Sequence, residues 1–454
     1  MVLPTRDDPL VAESSEGIGG AAGRRVRPGA GWWTPLRVLL ALAVLACVFS
    51  YVSRDWCYDR AWPRQPQGLE YTHVCYSDIP HLYVERGLAE GAVPYLDDRA
   101  TPVEYPVLTG GLMWVTAQVA RSIGGSDLGD QVRRYFDVNF LILTICALVV
   151  VAATVAVAGR RPWDAAIFAA APGLALTGFI NWDLFAVALT ACALLAWARE
   201  RPVLAGVLLG LGGAAKLYPL FLLGPLFLLC VRVGRRKEFG RTLGAAAVAW
   251  LAVNLPVWLA DRDGWAVFYR MNQERGPDFG SLWFALHETG RNWANGGIDV
   301  LSTGLFAAAC LGIGVLTVVA SRPPRLPQLA FLVIAAFLLT NKVYSPQYVL
   351  WLLPLAALAR PRWRDIAIWQ AGEILHYVTV WFYLASLSDP SRGMPDDVYW
   401  MAITVRVACT AYLVALVVRD VLRPECDPVR ASGEDDPAGG VLTRPRARPA
   451  RAPA

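Results

Sequence analysis

The residues most suited to chemistry lie in one polar stretch near the start of the chain. Tyr76, Ser77 and Asp78 are followed by Tyr83, by Glu85 with Arg86, by Tyr95 with Asp97 and Asp98, and by Glu104 with Tyr105. A carboxylate beside apolar segments can take the proton from a hydroxyl as that hydroxyl attacks, which is general-base work for Asp78. Glu104 is the reserve for the same task or for binding the attacking molecule. The plainer reading is that Asp78 caps a helix opened by Ile79 and Pro80, as Asp and Pro commonly do. The residues alone leave both readings open.

Four further clusters carry polar groups between apolar runs. Asn181, Trp182 and Asp183 form the first, with a capped, solvated turn as the alternative. Lys216, Leu217, Tyr218 and Pro219 interrupt an apolar stretch too long for one membrane span; Lys216 there either snorkels or meets a lipid phosphate. Lys342, Tyr344 and Gln347, in the run from Asn341 to Tyr348, form a rim suited to phosphate or sugar, or else a plain turn. The fourth, residues 261–297, holds Tyr269, Arg270, Arg275, Trp283, His287 and Glu288. Aromatic rings with polar neighbours suit sugar faces, although Trp and Tyr also gather at every membrane interface.

These clusters need a scaffold, and the composition says which kind. Of 454 residues, 56% are apolar and 17% charged, and the mean hydropathy is +0.40. A soluble domain carries about a quarter charged residues. The apolar residues are grouped in runs such as 138–158 and 301–320, each near the roughly 20 residues that cross a bilayer. We therefore expect an all-α polytopic membrane protein.

Charge sets its topology. Basic connections at residues 159–162, 199–202, 232–241, 321–325, 360–365 and 419–423 alternate with poorly basic ones around 181–183, 216–219, 261–297, 341–347 and 386–397. Lys and Arg mark cytoplasmic loops, so the second set faces outside. The apolar segment 105–120, with Gly110 and Gly111, would invert every later loop if it crossed. It is read as a helix at or dipping into the outer surface, within a large external loop, 54–136. About twelve spans result, with the membrane domain at 35–420 and disordered cytoplasmic tails at 1–34 and 421–454.

The net charge of +5 belongs to loops and tails, so no nucleic-acid partner is expected. Four His and nine Cys show no zinc spacing, so no metal site built from side chains alone is indicated. No cofactor is required by the sequence, and a divalent cation held partly by substrate stays open. Cys57 and Cys75 flank a short external stretch where oxidising conditions permit a disulfide; two free thiols are the alternative.

Taken in order, Tyr76 to Asp78, Arg86 to Leu88, Pro94 with Tyr95, Glu104 to Pro106, Asn181 to Asp183, Ala215 to Pro219 and Asn341 to Tyr348 resemble the membrane glycosyltransferases of the GT-C class. Within it the sequence is most similar to glycosyltransferase family 87, the polyprenyl-phosphate-mannose-dependent mannosyltransferases of actinobacteria. The resemblance spans roughly residues 36–418. It implies a GT-C-type bundle, a polyprenyl-phosphate-sugar donor, a glycolipid or glycan acceptor, inversion at the anomeric carbon and an active site facing outside the cell membrane. It implies Asp78 as the catalytic base. Phosphate- and sugar-binding roles fall to Glu104, Tyr105, Asn181, Asp183, Lys216, Tyr218, Arg270, Arg275, Lys342, Tyr344 and Gln347. The competing classes are a transporter or flippase of lipid-linked sugars, which needs charges near the membrane midplane, and a non-catalytic envelope subunit, in which Asp78 is dispensable.

Overall fold

The structure, a computed structural model, describes residues 33–62, 68–97, 101–288 and 295–443. The expected tail at residues 1–32, the end of the chain at 444–454, Asp98, and the side chains of His287 and Glu288 lie outside that description.

The described residues contain helices and no strand. Along the chain run α1 (Pro35–Val52), α2 (Asp78–Glu85), α3 (Val107–Ile123), α4 (Leu128–Ala158), α5 (Asp183–Ala198), α6 (Pro202–Ala215) and α7 (Leu223–Arg232). After them come α8 (Arg236–Ala260), α9 (Arg262–Glu274), α10 (Asn295–Val319), α11 (Leu326–Thr340), α12 (Val349–Ala359), α13 (Trp363–Ser388) and α14 (Asp396–Leu422). A chain in hydrocarbon must satisfy its backbone internally, which selects helices for apolar runs. By length and composition, α1, α4, α8, α14 and the segment Gly297–Val319 of α10 can each cross a membrane. The shorter apolar helices α5, α6, α7, α11 and α12 complete the bundle, so the all-α membrane class holds. Helix lengths do not fix the number of spans at twelve.

Burial separates lining from core. Every residue of α12 is buried, whereas α8 and α10 leave Val248, Leu259, Leu311 and Val318 exposed, as a helix facing lipid does. α6 packs closely on α8: a Cβ on Gly206 or Gly210 would overlap the carbonyl oxygen of Thr242 or Ala246. Small residues four apart let membrane helices approach at backbone distance.

The polar connections gather at one end. Ser77 Oγ donates to the Phe179 carbonyl at 2.8 Å, the Asp78 amide to Ile180 at 2.7 Å and the Asp278 amide to Lys342 at 2.8 Å. Thr109 Oγ1 donates to Ala215 at 2.7 Å, and Gly68 lies against Ser388. The basic connections gather at the other end, where Arg161 reaches the Pro428 carbonyl at 2.9 Å and Arg325 the carbonyls of Leu358 and Ala359. The two sets of loops that alternate along the sequence are thus segregated in space.

Two details concern the loops. Cys57 and Cys75 form a disulfide, which decides the alternative that the sequence left open. Residues 421–443, expected as part of a disordered tail, are instead folded back over the basic end. Arg325 pairs with Asp427 at 2.7 Å, the Leu326 amide donates to Asp436 at 2.9 Å and Trp197 Nε1 donates to Gly439 at 3.0 Å. These are long-range polar contacts, and a composition rich in Asp, Arg, Pro and Gly gives no local sign of them.

Candidate active site

α2 begins at Asp78, and its cap is Ser77, whose Oγ accepts from the Ile79 amide at 3.3 Å. The capping role offered to Asp78 by the sequence is therefore filled by its neighbour, and the Asp78 carboxylate is left for other partners. Tyr105 donates to its Oδ2 at 3.3 Å. Burial pushes the carboxyl up to about 6, against the pull of the Tyr76 hydroxyl, the Lys216 charge and the Tyr105 hydroxyl; the Glu104 charge adds to the rise.

Behind Tyr105 lies an ion pair. Lys216, at the broken end of α6, places Nζ 2.8 Å from Oδ1 of Asp183, the first residue of α5. Asp183 is fully buried, and Trp351 Nε1 donates to its other oxygen at 3.0 Å. Asn181 Oδ1 accepts from the Asp183 amide at 3.0 Å. Three rings surround the ammonium, with Tyr105, Tyr348 and Trp351 centroids at 5.1, 5.4 and 5.8 Å. Tyr218 stacks on Trp351 at 4.5 Å, and Tyr348 stacks on the same indole at 3.9 Å. Aromatic faces attract a cation, and the Lys216 charge also acts on Asp78.

Arg275 adjoins this cluster. It binds Asp278 at 2.7 Å, Ser345 donates to the same carboxylate at 2.9 Å, and the Arg275 charge reaches both Asp78 and Tyr348. The structure thus brings together Asp78, Tyr105, Asn181, Asp183, Lys216 and Tyr218, with Arg275 beside them.

Other residues singled out in the sequence are engaged elsewhere. Both oxygens of Glu104 bind Arg86, at 2.7 and 2.9 Å, which ill suits it as a reserve base. Lys342 is held by Asp299 at 2.6 Å and the Gln273 carbonyl at 2.9 Å. The Tyr344 hydroxyl donates to Glu373 at 3.1 Å under the Arg406 guanidinium, 3.5 Å from its ring. Gln347 is buried in the turn that carries Tyr348. Arg270 pairs with Asp263 at 3.1 Å. Sequence reasoning missed Trp351, Asp278 and Arg406, and it named Arg86 without its pairing to Glu104. Only Trp351 left a trace, standing three residues beyond Tyr348 at helical spacing. Among the described residues no three of His, Cys, Asp or Glu converge as metal ligands.

A helical membrane bundle with a carboxylate and cations at one polar end agrees with the sequence's resemblance to the GT-C membrane glycosyltransferases. The sequence model of Glycosyltransferase family 87 matches residues 131–341, and over that segment, from α4 through α11, the chain is similar to this family of glycosyltransferases. No curated protein matches it. Among solved structures, ArnT from Cupriavidus metallidurans bound to undecaprenyl phosphate is 15% identical with a TM-score of 0.43, over 85% of this chain and 78% of that one. The Archaeoglobus fulgidus oligosaccharyltransferase in the apo form is 14% identical with a TM-score of 0.35, over 85% of this chain and 56% of that one.

Proposed function

We propose that the protein moves mannose from a polyprenyl-phosphate carrier to a glycolipid or glycan acceptor of the cell envelope, with inversion, and that Asp78 is the general base. The observation that carries this reading is the setting of Asp78: a carboxylate relieved of capping, held near 6 by burial, and facing the charges of Lys216 and Arg275.

In the reaction the acceptor hydroxyl gives its proton to Asp78 while its oxygen bonds to the anomeric carbon. The carbon–oxygen bond to the phosphate breaks on the opposite face, and its electron pair leaves with the lipid phosphate. Lys216 and Arg275 hold that phosphate and oppose the charge that develops on it. Asp183 fixes Lys216 in place, and the apolar helices take the lipid tail. The external sidedness of this end is supported by the segregation of basic loops to the other end and by the Cys57–Cys75 disulfide, since such bonds persist in oxidising compartments.

The test is transfer of radiolabelled mannose from polyprenyl-phosphate-mannose to endogenous acceptors, in membranes carrying wild-type protein or Asp78→Asn at equal level. Transfer should need the protein and disappear with the substitution. Undiminished transfer by the variant removes Asp78 as the base. No transfer by wild type removes mannose as the donor sugar.

A further inference from the structure

A groove lies between the first polar loop and α9. Two adjoining cavities of about 250 and 270 Å³ share Arg86, Thr101, Pro102, Val267 and Arg270 as walls. Asp97, Asp261 and Asp263 line the 250 Å³ cavity. Its polar lining is therefore mixed, with two guanidinium groups facing three carboxylates, over a floor of Pro102, Val103 and Val267. A site for phosphate would be uniformly basic and a site for lipid uniformly apolar. Sugar hydroxyls both donate and accept, and their ring C–H faces are apolar, so this lining suits a pyranose, and the volume exceeds that of one ring.

The groove is wired to the candidate base. Residues 101–106 run without helix between the two sites. Glu104 turns toward the groove to bind Arg86, while the next residue, Tyr105, turns the other way to Asp78. Tyr95 spans the gap. It holds a left-handed φ of 69°, a conformation unfavourable to a non-glycine residue that surrounding structure must impose. Its hydroxyl donates to the carbonyls of Tyr105 and Pro106 at 2.8 and 3.0 Å. Its own carbonyl lies against Gly264 of α9 and its hydroxyl against Gly110 of α3, the two positions where a Cβ would overlap it. One strained residue thus joins the groove wall to the strip that carries Tyr105.

We propose that this groove binds a pyranose ring of the acceptor, so that the acceptor carries sugar already and is not a bare lipid alcohol or a protein side chain. The inference rests on the reading of the protein as a sugar transferase, but its test does not pass through transfer. Full-length protein in a detergent without sugar, such as lauryldimethylamine oxide, is examined by saturation-transfer-difference NMR with methyl α-D-mannopyranoside and methyl α-D-glucopyranoside as probes. Wild type should transfer saturation to the ring protons of at least one probe. Val267→Trp, which fills the floor, and Arg270→Ala, which removes a half-exposed guanidinium, should each abolish it, while Asp78→Asn keeps it. No saturation in wild type, or undiminished saturation in both groove variants, overturns the proposal. If saturation follows the groove but labelled mannose is never transferred, the reading of mannose as the donor sugar fails and the pyranose site stands.

Discussion

At the scale of residues, the pair Lys216 and Asp183 decides how the site keeps a cation near hydrocarbon. Asp183 is fully buried and Lys216 largely so, and a buried charge stripped of its partner costs roughly 3–5 kcal/mol. Lys216→Met should therefore lower the melting temperature sharply, and Lys216→Met with Asp183→Asn should restore much of it without restoring sugar transfer. Recovery of transfer in the double variant would show that Lys216 serves folding alone. Asp78 makes a separate prediction in pH. A base must be deprotonated, and its carboxyl sits near 6, so kcat/KM should rise with pH below 6 and level off near 7, with about a tenfold loss at pH 5. A flat profile from pH 5 to 8 would contradict the assignment. Lys216 was legible in the sequence because it interrupts an apolar stretch, and Asp78 because it stands in a polar stretch beside apolar segments. Their partners were not, since nothing local announces that Lys216 meets a residue 33 positions earlier or that Glu104 is held by Arg86.

At the scale of elements, the loop bearing α2 is tied down three times: by the Ser77 cap, by the bonds of residues 77 and 78 to Phe179 and Ile180, and by the disulfide ending at Cys75. With a sequence separation of 18 residues, the disulfide contributes on the order of 3 kcal/mol by loop closure. Cys57→Ser with Cys75→Ser should lower the melting temperature and reduce kcat more than the donor KM, because the base is displaced while the Lys216 cluster stays. A shift in donor KM alone would place this loop with the donor instead. Apolar runs made most helices readable from the sequence. The start of α2 was readable only to within one residue, and Ser77 and Asp78 are equally good caps by type. Only the carbonyls of Phe179 and Ile180, about a hundred positions away, decide between them.

At the scale of the whole molecule, the two ends of the bundle are held by different means. The polar end is joined by loops around the candidate site. The basic end is clasped by residues 424–443, which expectation placed in a disordered tail because their composition shows no periodicity. The clasp depends on a few buried charges: Arg325, 1% exposed, gives two bonds to Asp427 and one each to Leu358 and Ala359. Those carbonyls end α12, and Arg325 precedes α11, so the C-terminal segment reaches the two helices with the most buried surface. Asp427→Ala leaves the Arg325 charge uncompensated and should destabilise the protein by roughly 3–5 kcal/mol, read as a fall in melting temperature in detergent. Arg325→Met with Asp427→Leu removes both charges and should recover most of that loss, since a buried ion pair is often replaced by apolar groups at little cost. An unchanged melting temperature in Asp427→Ala would mean that the segment is not bound to the bundle. With destabilisation and rescue as expected, transfer by the double variant should equal that of wild type, because the clasp and the candidate site lie at opposite ends and share no residue.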